Sequence, residues 1–261
     1  MSVFFTRPDA HVSLFYRGRV RQSVLRVSAP AALAGARAVY LADVHLRART
    51  PDAWLDGLLA EIGKLRPDLL LLGGDYAETP AQERRFFTAL GACCRPPCGA
   101  YGVVGNNDRE GFPEIADLRA CMAAGGVRLL LNERLTVPVR GGRLAICGID
   151  EEKHGEPQRE NLFAGCEGAD LRLLLEHMPR WPEESADLVL AGHTHGGQLN
   201  FLGLTPFSVG FEGTYPVVRG AARQGGTTLL VTRGLGYSRL PLRVGVYPEY
   251  HVIEFVGGAG F

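Results

Sequence analysis

Asp68-Leu69-Leu70-Leu71-Leu72-Gly73-Gly74-Asp75 is the stretch on which the fold turns. Four consecutive leucines carry no two-residue alternation, so a strand here is buried on both faces, and the glycine pair stops it just before an acidic side chain. The period then changes. Thr79-Pro80 suits a helix start, and Phe86, Phe87 and Leu90 follow at helical spacing. The same unit lies upstream: Val39-Tyr40-Leu41-Ala42 ends at Asp43, Thr50 is placed to cap, Pro51 to take the first helical position, and Trp54, Leu55, Leu58, Leu59, Ile62 and Leu65 mark a helix. A third copy runs from Tyr101-Gly102-Val103-Val104 through Gly105-Asn106-Asn107-Asp108 into a helix carrying Ile115, Leu118 and Met122, which stops near Gly125-Gly126.

Apolar strands alternating with helices predict a largely parallel sheet covered on both faces, with ligands bound beyond the carboxyl ends of its strands. The second half reads differently. Leu135 to Arg140, Gly141-Gly142 and Arg143 to Ile149 read as a hairpin, and two further strands end at His177 and His193. Segments 226–256 supply closing strands, so this half adds a mixed or antiparallel sheet. No linker composition interrupts the chain, and its 261 residues suit one α/β domain over 1–261.

Composition excludes more than it assigns. Lys plus Arg equals Asp plus Glu at 28 each, so there is no basic field for long nucleic acid and no acidic tail. The six cysteines form no CxxC pair, which fits reduced thiols in a cytosolic protein. The opening run Met1-Ser2-Val3-Phe4-Phe5 is broken by Arg7, Pro8 and Asp9, and no later run is long enough to span a bilayer. The expectation is a cytoplasmic protein, in contact with the inner membrane face at most peripherally.

Five polar clusters stand at the strand ends: Asp43-Val44-His45, Gly73-Gly74-Asp75, Gly105-Asn106-Asn107-Asp108, Glu176-His177 and Gly192-His193-Thr194-His195-Gly196-Gly197-Gln198. A lone histidine at a strand end is usually structural; five clusters together point to a metal centre. Carboxylate, imidazole and amide oxygen are hard to borderline ligands, suited to Mn, Fe, Zn or Co. Two aspartates facing two divalent cations leave a positive site that attracts phosphate, and a water between ions roughly 3.5–4 Å apart is acidified into a nucleophile.

The set DxH, GGD, GNxD, a separate His and GHTHGGQ, in that order, resembles the calcineurin-like metallophosphoesterases from about Tyr40 to Gln198. The resemblance implies a four-layer α/β/β/α sandwich of two mixed sheets, with two divalent metal ions at the carboxyl edges of the strands. It implies that Asp43, His45, Asp75 and His195 hold one ion and that Asp75 bridges to a second held by Asn106, His177 and His193. The implied activity is metal-dependent hydrolysis of phosphoric esters by a metal-bridging hydroxide. Thr232-Arg233-Gly234-Leu235-Gly236 and Pro248-Glu249 extend the similarity toward the bacterial branch that includes the YkuE and YaeI phosphodiesterases.

One departure sharpens the expectation. The family's usual GNHD or GNHE is here Gly105-Asn106-Asn107-Asp108, with Asn107 in place of the histidine thought to assist the leaving group. An amide donates a hydrogen bond but cannot act as a general acid. Phosphodiesters or diphosphates are therefore expected over monoesters. Diphosphate hydrolases that act on UDP-diacylglucosamine resemble this site in the same replacement, which brings lipid-linked and UDP-linked substrates into view. A small-nucleotide phosphodiesterase or nuclease is the alternative enzyme, and a non-catalytic metal-binding scaffold the alternative class. Arg233 is read as a phosphate clamp or as half of a salt bridge. The apolar segment 201–211 is either a wall for an acyl chain or a cap on the core, and Arg17, Arg19 and Arg21 are either a basic edge for anionic lipid or one solvated strand face. His154 is read as a loop histidine within or beyond reach of substrate.

Overall fold

The leucines of the deciding stretch form a strand with no exposed side chain, and the layers build outward from it. The computed structural model describes residues 12–14, 16, 18–112, 114–201 and 214–258. In chain order the elements are β1 (Val12–Leu14), β2 (Arg21–Ala29), β3 (Arg37–Leu41), α1 (Asp52–Lys64), β4 (Leu69–Leu72), α2 (Pro80–Cys93), β5 (Ala100–Gly102), α3 (Asn106–Gly111), α4 (Ile115–Ala124) and β6 (Val127–Leu129). There follow β7 (Glu133–Val139), β8 (Gly142–Gly148), β9 (Leu171–Leu175), β10 (Leu188–Ala191), β11 (Gly220–Gln224), β12 (Thr227–Val231), β13 (Leu242–Val244) and β14 (Glu249–Gly257).

Two six-stranded mixed sheets result, ordered β2-β14-β3-β4-β5-β6 and β11-β12-β10-β9-β8-β7, with β1 and β13 forming a separate antiparallel pair. β3 to β6 run parallel, as do β8, β9, β10 and β12. Alternation along each strand assigns its faces. Val39, Leu41, Leu70 and Leu72 point to α1, α2 and α4, whereas Ala38, Tyr40, Leu69 and Leu71 meet Leu144, Ile146, Leu173, Leu175, Leu188 and Leu190 of the other sheet. Each such leucine removed from water contributes about 1.5–3 kcal/mol. The opposite face of the second sheet packs Cys147, Leu174, Val189 and Val231 against Leu162, Phe163 and Cys166. The sandwich of two mixed sheets is the expected one; among the described residues its outer layer on that side is irregular chain rather than helix.

Local details differ from the sequence expectation in two places. Helix α1 starts at Asp52, with Pro51 as its N-cap, and Thr50 Oγ1 instead accepts from the Arg47 N–H at 3.0 Å, closing the turn before the helix. The short helix α3 falls on Asn106–Gly111, where Asn-Asn-Asp gives no helix signal. Thr79 caps α2 as expected, its side chain accepting from the Gln82 N–H.

Candidate metal centre

Every expected ligand lies in the turn after the carboxyl end of a parallel strand: Asp43 and His45 after β3, Asp75 after β4, Asn106 after β5, His177 after β9, His193 and His195 after β10. The two sheets therefore deliver ligands to one edge of the sandwich. Main-chain bonds lace the turns together, with the Asp43 N–H donating to Gly74 O at 2.9 Å and the His45 N–H to Asp75 O at 3.0 Å. Further bonds cross between sheets: the His193 N–H reaches both Asp43 carboxylate oxygens at 3.0 Å, and His177 Nδ1 lies 2.8 Å from Gly73 O.

Asp43, His45, Asp75, His193 and His195 all take left-handed φ, between 42° and 68°. Side chains other than glycine avoid this region at a cost of about 1–2 kcal/mol each. The turns hold these residues there so that successive side chains converge on one point.

Two groups form. The ligand atoms of Asp43, His45 and His195 lie within 4.8 Å of one another, and so do those of Asp75, His177 and His193. Asp75 Oδ2 stands between the groups, 3.4 Å from His45 Nε2 and 3.4 Å from His177 Nε2, as a bridging carboxylate would. Ring nitrogens face each other at 3.0 Å (His45 and His195) and 3.2 Å (His177 and His193). Two imidazoles so placed need a cation between them, a proton or a metal. Burial disfavours charge on His45, but hydrogen bonds to Asp75 and Glu78 outweigh it and raise the group to about 10; for His177 the Asp75 charge outweighs burial and raises it to about 9. Burial and the neighbouring His177 push His193 down to about 3, and burial with His45 and Arg243 holds His195 well below the usual range. Within each pair one ring is thus favoured as the cation, His45 in the first and His177 in the second.

Asn106 supplies a further test of fit. Its Oδ1 is buried without a hydrogen-bond partner among the described residues, while its Nδ2 donates to Asn107 Oδ1 at 2.8 Å. An unserved amide oxygen beside two histidines and a carboxylate suits a metal ligand. The residues present therefore fit two divalent ions.

Supporting residues carried no role that the sequence made legible. Glu78 Oε1 sits 2.8 Å from His45 Nδ1 and fixes that ring, as outer carboxylates do for ligating histidines. Asp108 accepts from the main-chain N–H groups of Asp75, Tyr76 and Gly105 at 2.7, 2.8 and 2.7 Å, tying two ligand turns together. Gln198 Nε2 donates to the carbonyls of Ser238, Leu240 and Leu242, and the fully buried Arg243 guanidinium donates to the carbonyls of Gly236 and Arg233 and lies 3.2 Å from His195 Nδ1.

A cleft of about 860 Å³ opens over the centre, lined by His45, Asp75, Asn106, Asn107, His193 and His195 among others. Asn107 donates its N–H to Asp75 Oδ1 at 2.9 Å, and its amide lies 3.1 Å from His45 Nδ1. Arg233 takes the salt-bridge alternative. Its Nη1 is 2.7 Å from Glu249 Oε2, and its side chain lies under Gly196, behind the cleft lining. His154 pairs with Glu110 at 2.8 Å. Arg19 and Arg21 line a separate groove with Trp54 and Tyr250. Arg17 and segment 202–211 lie outside the described residues, and the exposed Phe201 is the one described member of the apolar segment. No described helix is long and apolar enough to cross a membrane.

Similarity to known proteins agrees with this geometry. Residues 36–197 match the family model of the calcineurin-like phosphoesterases. The chain is 31% identical to the uncharacterized metallophosphoesterase YkuE of Bacillus subtilis, covering 84% of this chain and 78% of that one. It is 29% identical to the uncharacterized protein YpbG of the same organism (84% and 80%) and 29% identical to phosphodiesterase YaeI of Escherichia coli (84% and 81%). Motif order, two mixed sheets and two clustered ligand groups meet in one conclusion: the chain belongs to the calcineurin-like phosphoesterases and is a metal-dependent hydrolase of phosphoric esters.

Proposed function

We propose that the protein is a phosphodiesterase or diphosphate hydrolase rather than a phosphomonoesterase, acting through the seven ligands Asp43, His45, Asp75, Asn106, His177, His193 and His195. Two bound divalent ions would supply Lewis acidity that activates water and neutralises phosphate charge. The chain's own residues fix the rest. Glu78 and the Gly73 carbonyl set the orientation of the His45 and His177 rings, and Asp108 locks the turns bearing Asp75 and Asn106.

The observation that carries the reading is Asn107. It lines the cleft, and every imidazole lining that cleft belongs to a ligand group, so no described side chain there is a spare imidazole to protonate a poor leaving group. A diester or diphosphate with an acidic leaving group needs no such help. UDP-linked or lipid-linked diphosphates such as UDP-diacylglucosamine are the proposed extension of this class.

Hydrolysis of matched chromogenic diester and monoester substrates, beside a UDP-linked diphosphate, tests the reading with Mn²⁺ and after chelation. Metal-dependent diester or diphosphate turnover that disappears in Asp75→Asn supports it. Faster monoester turnover overturns it, as does a bound metal with no turnover at all.

A further inference from the structure

We propose that Lys153 and Arg239 form a clamp for a second phosphoryl group, making this a site for diphosphate diesters in preference to diesters carrying one charge; this rests on the hydrolase reading above. Both side chains are exposed, both line the cleft over the metal centre, and they come from different loops of the chain. Among the described residues neither has a carboxylate within salt-bridge distance. The other charges on the lining are already partnered: Arg47 pairs with Glu78 at 3.4 Å, and Glu110 with His154 at 2.8 Å.

Each cation is presented by a built loop. The Glu151 carboxylate accepts from the Lys153 N–H at 2.8 Å and from the His154 N–H at 2.5 Å, which fixes the turn. Asp150, itself buried, accepts from the N–H groups of Glu151 at 2.9 Å and Glu156 at 3.0 Å. It also pairs with Arg109 of α3, the helix that begins at Asn106, so the Lys153 loop is anchored to a ligand-bearing turn. On the other side Gln198 grips the Arg239 loop through the carbonyls of Ser238, Leu240 and Leu242 and accepts from the Ser238 N–H at 2.8 Å. Gln198 follows directly on the turn that carries His195. Arg239 itself has φ of 52°, a conformation this grip maintains.

The charges have a consequence for selection. The metal centre neutralises the phosphoryl group under attack. A diester with a single phosphate offers nothing further for Lys153 and Arg239 to hold. A diphosphate diester carries a second, permanently ionised phosphoryl group, for which an ammonium and a guanidinium are matching donors.

The test compares Lys153→Gln and Arg239→Gln, singly and together, with Lys153→Arg as the conservative variant. The readout is the ratio of kcat/KM for UDP-glucose to that for bis(p-nitrophenyl) phosphate, measured with Mn²⁺. Loss of one charge-assisted contact lowers the ratio about tenfold, mainly through KM of the diphosphate, and Lys153→Arg restores most of it. A ratio within twofold of wild type in the double variant overturns the proposal, including the case where both substrates decline together. Calorimetry with methylenediphosphonate and with inorganic phosphate on Mn²⁺-loaded protein decides the matter even if neither ester turns over. Preferential binding of the diphosphonate, weakened about tenfold in the double variant, supports the clamp; equal binding of the two anions, or a preference untouched by the substitutions, refutes it. Absence of turnover with the clamp intact by calorimetry would count against the hydrolase reading alone.

Discussion

Replacing Asp108 should show how far the metal centre depends on one side chain that touches neither metal nor substrate. The carboxylate is fully buried; Oδ2 accepts from the Asp75 and Gly105 N–H groups, and Oδ1 accepts from Tyr76. Asp108→Ala strands three buried donors at about 1–3 kcal/mol each, so the expected loss is at least about 3 kcal/mol. Asp108→Asn keeps one oxygen able to serve Asp75 and Gly105 but turns an NH₂ toward the Tyr76 N–H. One donor is then unserved, for about 1–3 kcal/mol. Urea denaturation in the presence of chelator measures the change without metal linkage, as a shift of midpoint at constant slope. An alanine variant within about 1 kcal/mol of wild type, or an asparagine variant as unstable as the alanine one, would refute the accounting of donors.

Three further outcomes follow from the same structure. Gly74→Ala places a methyl group into the Gly105 backbone at φ of 89°, whereas Gly35→Ala meets nothing within 4 Å at φ of 81°; thermal melting should separate about 2–5 kcal/mol for the first from about 1 kcal/mol for the second. Burial and the Asp108 charge push the Glu83 carboxyl up to about 11, so the folded protein keeps a proton that the unfolded chain releases above its ordinary value of 4.5. That contribution is complete below pH 4.5 and is lost as pH climbs toward 11, so wild-type stability should fall between pH 6 and 9, and Glu83→Gln should flatten the decline in denaturation midpoint. With His45 raised to about 10 and His177 to about 9, both rings are cationic near neutral pH and a metal must displace their protons. Loading should release about two protons and tighten as pH rises; calorimetric heats independent of buffer ionisation would contradict this.

The βα units around Leu41, Leu72 and Val104 were legible because their information is local: a buried run, a stop and a change of period. β2 was not, since its outer residues are largely exposed and polar, and its pairing with β14, more than two hundred residues away, has no local signature. The same distinction divides the site. Asp75, Asn106, His193 and His195 stand beside glycines in short motifs, and Asp43, His45 and His177 follow buried apolar runs, so residue type and position announce all seven. Glu78 and Arg243 act through contacts with other segments, and nothing in their own neighbourhoods tells them apart from solvated charges; Asp108 and Gln198 stand in motifs, but the main-chain groups they hold lie in other segments, so their roles were not legible. Arg233 shows the limit of local reading, for phosphate clamp and salt bridge were equally open until the fold set Glu249 beside it.

The left-handed backbone at Asp43, His45, Asp75, His193 and His195 sets inheritance against conformation. Glycine adopts that backbone freely, so at each of these five positions the substitution that abolishes a ligand also relieves about 1 kcal/mol of main-chain strain. At Asp43 and Asp75 that relief is outweighed, because the two carboxylates accept from the His193 and Asn107 N–H groups and their loss strands those donors. The main chain therefore opposes its own ligands most at His45, His193 and His195, where the imidazole is kept against the preference of the turn that carries it.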